Sequence, residues 1–218
     1  ALAAHPAVVA TETGRDPDAL MADLGQPGMH PEGWFLPETY RFVRGTRDVV
    51  ILRQAYDAMR DTLESVWEAR PDDLPLKSPY EVLILASIIE RETGLDAERD
   101  QVAGVFVRRL NKGMRLQTDP TVIYGVTEGR GVLGRGLRRS ELRAETPWNT
   151  YVIDGLPPTP IANPGLASIE AALDPEDTDL LFFVADGTGG HAFARTLEEH
   201  NANVARWRQI EREQGSDQ

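Results

Sequence analysis

Two carboxylates stand near the end of an apolar run, in Val82-Leu83-Ile84-Leu85-Ala86-Ser87-Ile88-Ile89-Glu90-Arg91-Glu92-Thr93. On a helix, Glu90 shares its face with Leu83, Ala86, Ser87 and Thr93. A carboxyl at an apolar helix end is partly desolvated, which tightens its hold on a proton. That suits a general acid working near neutral pH. The alternative is that Glu90 only marks where the helix emerges into water. Glu92 lies roughly 200° further round the helix, so the two carboxylates do not converge. Glu92 is expected to pair with an arginine or to cap backbone.

A second cluster is Arg115-Leu116-Gln117-Thr118-Asp119-Pro120-Thr121-Val122-Ile123-Tyr124. Amide, hydroxyl and carboxylate groups beside an aromatic ring suit a carbohydrate, whose hydroxyls need partners and whose ring face needs cover. The same residues also read as a helix start, with Thr118 or Asp119 capping before Pro120. Other motifs carry less. Gly129–Gly134 spells G-x-G-x-x-G without the preceding strand and following helix that a dinucleotide site needs. Gly187–Gly190 lacks the Lys-Ser/Thr ending of a phosphate loop. His5, His30, His191 and His200 have no metal-ligand spacing, so no metal site is expected. Ser87 lacks a nucleophile elbow.

Composition narrows the field further. The chain has 218 residues with 23 basic and 35 acidic side chains, a net charge of −12. That balance argues against a phosphate-tracking nucleic-acid binder. Without cysteine there is no disulfide framework, no Cys-ligated metal and no thiol nucleophile. With 41% hydrophobic and 27% charged residues the chain is globular. No run approaches the roughly 18 apolar residues of a membrane span. The start, Ala1-Leu2-Ala3-Ala4, has neither Met nor a basic region and reads like the cut end of a longer protein.

The elements that must hold these groups are mostly helical. Asp16-Pro17-Asp18 starts a short helix that Gly25–Gly28 ends. Glu32–Phe42 reads as a loop with a short edge strand. Thr46 is expected to cap a long amphipathic helix, with Leu52, Ala55, Tyr56, Met59, Leu63, Val66 and Trp67 on its buried face. Pro71–Pro75 closes it. Ser78-Pro79-Tyr80-Glu81 combines a capping box with Pro at the first helical position, and Val82–Ile89 is apolar on every face. Asp96 is expected to cap the next helix, whose stripe is Val102, Val105, Phe106 and Leu110 and which Gly113 ends. Met114–Pro164 shows little regular structure beyond Asp119–Tyr124, and so long a loop region is a functional signal. Leu166–Leu173 reads as a helix, Leu180–Thr196 as a β-hairpin, and Leu197 to about Arg212 as a last helix.

Five ordered segments together resemble one family, the YceG-like endolytic murein transglycosylases. They are Glu32–Tyr40, Leu85–Thr93, Met114–Gly125, Leu156–Gly165 and Phe183–Phe193, and the resemblance runs from about Glu32 to Trp207. It implies an α+β fold: a mostly helical catalytic domain (31–218) with a β-hairpin and short strands, preceded by the remnant of a small LysM-like module (1–30). It implies a bacterial protein held by one N-terminal transmembrane helix, missing from this chain, with its catalytic domain on the periplasmic or outer side of the cytoplasmic membrane. Its substrate would be the glycan strands of nascent peptidoglycan and its partners the peptidoglycan synthases, with no cofactor. The family's catalytic glutamate falls on Glu90.

Such an enzyme cleaves the β-1,4 bond between N-acetylmuramic acid and N-acetylglucosamine without water. One carboxylic acid protonates the leaving oxygen. The same carboxylate then takes the proton of the muramic 6-hydroxyl, which closes onto C1 as a 1,6-anhydro ring. A single glutamate suffices, unlike the two-carboxylate glycosidases. On this reading Glu90 is acid then base. Gln117, Asp119, Thr121, Tyr124 and Asn163 line the groove, and Glu32 and Tyr40 contribute to it. The rivals are a lysozyme-type hydrolase in which Asp119 or Glu32 handles water, and a non-catalytic glycan-binding module.

Overall fold

The computed structural model describes residues 2–11 and 16–215. The expected cut end at Ala1 and part of the segment 1–30, residues 12–15, lie outside the described residues. In chain order the elements are a 3-10 turn (Leu2–Ala4), β1 (Val8–Val9), α1 (Pro17–Asp23), β2 (Thr46–Arg47), α2 (Asp48–Glu68), α3 (Pro79–Glu92) and α4 (Asp96–Asn111). There follow α5 (Asp119–Thr127), α6 (Arg139–Leu142), α7 (Leu166–Leu173), β3 (Phe182–Ala185), β4 (His191–Ala194) and α8 (Leu197–Gly215). The result is a helix-rich α+β arrangement.

Helix α3 is the axis of the core. Ser78 Oγ accepts from the Glu81 N–H and Pro79 fills the first helical position, a cap worth about 1 kcal/mol. The Glu81 carboxylate reaches back to the Lys77 N–H at 2.6 Å, one residue before the cap. All eight residues Val82–Ile89 are buried, because α2, α4, α5 and α7 pack around them. Phe106, Met59, Leu63 and Ile169 complete this core. Each such side chain contributes roughly 1.5–3 kcal/mol when taken out of water. Ser87 has no exposure, but its hydroxyl is satisfied, donating to Ile84 O at 2.7 Å and accepting from Ile161 N at 2.9 Å. The second bond ties the long loop to α3.

A smaller cluster lies at the N-terminal end. Leu20 and Met21 of α1, with Leu24 at its C-terminal cap, meet Val49 and Tyr56 of α2. Trp34 stacks on Tyr80 at 5.8 Å and leans on Tyr56 at 6.0 Å. Gly33 sits at φ +88°, where a Cβ would fall 2.6 Å from Pro160, so only glycine lets the two loops approach so closely.

Several local expectations change. No strand forms in Glu32–Phe42; β1 instead pairs in parallel with β2, Val8 opposite Thr46. Thr46 therefore lies in β2, its hydroxyl on Val43 O, and Arg47 is the N-cap of α2. Asp96 is the first residue of α4, not its cap, and holds Arg99 at 2.5 Å. Helix α5 runs three residues past Tyr124, and α6 is an added short turn. Helix α7 and the antiparallel hairpin β3–β4, with Phe182 opposite Ala194, form as the sequence implies. Asp186 fixes the hairpin turn by accepting from the Thr188 N–H and hydroxyl.

Candidate functional site

Successive residues on a helix turn by roughly 100°, and the last turn of α3 points three side chains into three surroundings. Glu90 meets α7, Arg91 lines one cleft, and Glu92 lines another.

The Glu92 cleft encloses about 500 Å³ between α3, the 116–119 segment, Tyr151, the hairpin and α8. Thr118 donates its hydroxyl to Glu92 Oε1. That threonine is held by a buried network: its N–H bonds Thr150 Oγ1 at 3.0 Å, and Thr121 Oγ1 lies 2.8 Å from both Thr118 O and Thr150 Oγ1. Arg109 forms part of the cleft wall, its guanidinium on the carbonyls of Leu181 and Leu116 at 2.7 Å each. Burial pushes the Glu92 carboxyl up to about 6, and the Asp119 charge adds to this. The Thr118 hydroxyl, His191 and Arg109 oppose it. Burial also lowers the proton affinity of Arg109. Tyr151 donates to Asp119 Oδ1 at 2.6 Å, and burial with that bond raises its phenol well above the usual range.

Gln117 lies on the rim of the same cleft, exposed, with φ +49°. A non-glycine residue in the left-handed region costs about 1 kcal/mol or more, and such positions cluster at functional sites. Its N–H is anchored on Thr150 O at 3.1 Å.

The second cleft, about 310 Å³, is lined by Glu32, Arg91, Tyr124 and the loop from Gly129 to Val132. Burial raises the Glu32 carboxyl, against the pull of His30 and the Tyr124 hydroxyl. Burial and the Glu32 charge push the Tyr124 phenol up to about 12. Asp119 lines the first cleft and Pro120 the second, so the two flank the first turn of α5.

Glu90 is partly buried and engaged. Its Oε2 accepts from the Gly165 N–H at 3.1 Å and the Ser168 hydroxyl at 2.7 Å. It thus anchors the start of α7, where unpaired backbone N–H groups favour a carboxylate.

The YceG-like family profile matches residues 4–206. The chain belongs to the YceG-like family. It is 39% identical over 189 residues to a Bacillus subtilis protein named endolytic murein transglycosylase, covering 85% of this chain and 51% of that one. A Streptococcus pneumoniae protein of the same name is 32% identical over 181 residues, 80% of this chain and 32% of its own length. A crystal structure of a YceG-like protein from Listeria monocytogenes superposes with a TM-score of 0.66 at 37% identity, covering 87% of this chain and 61% of that one. The chain therefore spans from about a third to about three fifths of the length of these relatives.

Within this YceG-like chain the expected site residues divide. Gln117 and Asp119 line the Glu92 cleft, while Glu32 and Tyr124 line the second. Thr121 has no exposure, so it supports the floor and cannot touch a ligand. Asn163 uses Oδ1 on the Phe35 N–H at 3.2 Å, and Tyr40 donates to Leu36 O at 2.8 Å, so both tie the 32–40 loop down. Sequence reasoning does not place Thr118 as the Glu92 donor, nor Arg109, Tyr151, His191 and His200 around the cleft. The only local hint is the spacing that turns Glu92 away from Glu90. Among the described residues no group of three or more His, Asp or Glu could hold a metal ion, and no helix is long and apolar enough to cross a membrane.

Proposed function

We propose that this chain carries the lytic transglycosylase activity of an endolytic murein transglycosylase, with Glu92 as acid and then base. The supporting observation is the raised proton affinity of Glu92 inside an open polar cleft. With a midpoint near 6, about a tenth of the enzyme holds the Glu92 proton at pH 7, and excluding water on binding raises that share.

In the first step Glu92 gives its proton to the glycosidic oxygen and the bond to muramic C1 breaks, releasing the N-acetylglucosamine 4-hydroxyl. The substrate's acetamido group stabilises the cation at C1. In the second step the 6-hydroxyl gives its proton to the Glu92 carboxylate as O6 bonds to C1. Glu92 ends protonated, and no water is consumed. Thr118, donating to Oε1, keeps the carboxylate in one rotamer through both steps. Asp119 accepts from Tyr151, and Glu32 lies in the other cleft. Neither placement favours a hydrolase with a second carboxylate.

Product masses test the reading. Digestion of purified sacculi should release muropeptides with anhydro ends, lighter by one water than reducing ends; reducing ends alone would establish a hydrolase. A Glu92→Gln variant that still made anhydro ends would return the role to Glu90, the position implied by family resemblance.

The names of the relatives support murein as the substrate; the remaining parts of the reading rest on the family resemblance alone. The substrate is nascent peptidoglycan, the partners are peptidoglycan synthases, and the full protein is anchored by one N-terminal span with this part on the periplasmic or outer side. Residues 1–30 are the tail of a LysM-like region, with 31–218 as the catalytic domain. Fractionation of cells expressing the full-length protein, and co-purification with synthases, test these placements.

A further inference from the structure

His191 lines the Glu92 cleft, and its ring is fixed from several sides. Glu98 on α4 takes it in a fork: Oε1 accepts from the His191 N–H at 2.9 Å, and Oε2 lies 2.9 Å from Nδ1. Both side chains are largely but not fully buried, with 15% exposure for His191 and 19% for Glu98. Phe183 meets the imidazole edge-on at 5.2 Å, and Phe193 lies at 6.3 Å, so the ring plane is set as well. A Cβ at the preceding residue, Gly190, would fall 2.5 Å from Glu98 Oε1, so any side chain there would push the carboxylate out of its present place.

This fork has a chemical consequence. A carboxylate at Nδ1 makes that nitrogen the proton donor, which leaves Nε2 to the cleft. Among the described residues Nε2 makes no hydrogen bond. We propose that Glu98 and His191 form a positioning dyad: Glu98 clamps the imidazole by Nδ1 and so holds Nε2, with any proton it carries, toward the cleft where Glu92 acts. The inference rests on the assignment of Glu92 as acid and base.

The benefit falls on the step at which Glu92 has surrendered its proton. A positive imidazolium across the cleft stabilises the carboxylate left behind, while the aligned carboxylate of Glu98 stabilises that imidazolium. The same coupling makes Glu92 release its proton more readily, in the direction its electrostatic surroundings already show. The other charges facing the pair are Arg109 from α4 and Asp119 from α5, with Tyr151 from the loop and His200 from α8. Arg109 is committed to the carbonyls of Leu181, Arg115 and Leu116, and Asp119 to Tyr151. Among the described residues His191 is the cleft imidazole that a carboxylate clamps at Nδ1.

A plain structural staple between the hairpin and α4 uses the same contacts but behaves differently. It lowers activity alike at every pH. The dyad moves the pH profile.

The test is kcat and kcat/KM on purified glycan strands from about pH 5 to about pH 9, with thermal melts at each pH, for the wild type, His191→Gln and Glu98→Gln. Both substitutions remove the positive charge opposite Glu92. In Glu98→Gln this happens because the amide that replaces the carboxylate donates to Nδ1 and disfavours the imidazolium. The limb that reports loss of the Glu92 proton should move up by about half to one pH unit in each. The two changes should not add in the double variant, since they break one unit. A profile lowered uniformly, with its limb unmoved, overturns the dyad and leaves the staple.

If those variants fold poorly, NMR titration of the His191 ring in the wild type and in Glu92→Gln gives the answer. Coupling is reciprocal, so neutralising Glu92 should lower the His191 midpoint by a similar amount. An unchanged midpoint overturns the proposal. Glu92→Gln that retained full activity would instead sink the assignment of Glu92, whatever His191 does.

Discussion

Two glutamates stand two residues apart on α3, and their surroundings are opposite in kind. Glu90 turns toward α7, where a backbone N–H and the hydroxyl of Ser168 close on one oxygen. It is a brace between two core helices. Glu92 turns toward a cleft, takes one hydroxyl donor, and is held by burial at about 6. The contrast teaches what makes a carboxyl reactive in a fold. A group whose hydrogen bonds complete the packing is spent on stability. A group kept partly desolvated and under-bonded at an open surface retains a proton to give. The molecule tolerates the second because the first, with Ser87 and the threonine network, holds the frame around it.

The largest expected effect breaks the comparison outright. Glu92→Gln should lower kcat/KM on glycan strands by about a thousandfold or more, the scale of a lost general acid, with an intact melt. Glu90→Gln should cost no more than about tenfold. Inverted results would mean that the brace and the acid have been assigned the wrong way round.

Next comes stability against pH. The folded Glu92 holds its proton more tightly than the usual 4.5 of an unfolded chain. Its protonation therefore favours the folded state below that value, and this contribution is lost as pH rises through about 6. Glutamine carries no such penalty. Glu92→Gln should be more stable than the wild type by on the order of 2 kcal/mol at pH 8, with the gain vanishing near pH 4. Denaturant melts at the two pH values check both sign and size.

The Glu90 side should respond in the other direction. Glu90→Ala strips the acceptor from Gly165 and from the fully buried Ser168, and should destabilise by about 1–3 kcal/mol. An unchanged midpoint of unfolding would mean that Glu90 is no brace. The smallest effect is at the rim. Gln117→Gly relieves a left-handed backbone, so stability should hold or rise by up to about 1 kcal/mol. KM should rise, because the amide that faces the cleft is gone. A variant with unchanged KM would remove Gln117 from the groove.

Much of this frame is legible in local patterns. Ser78-Pro79 and the apolar run Val82–Ile89, interrupted by Ser87, specify α3, and Leu166–Leu173 and the Asp186–Gly190 turn form where their residues indicate. The misplaced start of α2 has a cause distant in sequence. Thr46 has the side chain of a helix cap, yet it belongs to a two-residue strand that exists only because Val8 lies alongside. The site is legible in part for the same reason. Gln117 and Asp119 belong to one short polar segment and share the Glu92 cleft. Thr121, three residues from Thr118, looks equally polar on paper but is buried against Thr150.

The sequence by itself determined the helices, the hairpin, the absence of thiol chemistry and the pair of glutamates at the end of an apolar helix. Those properties are local: periodicity, caps and composition act within a few residues. Which glutamate became the brace and which the acid was decided by tertiary structure. Glu90 meets Ser168 across 78 positions of chain, and Glu92 meets Thr118 across 26. Desolvation and donor placement are set by whatever chain arrives at each face of the helix, and no residue's own neighbours in sequence carry that information.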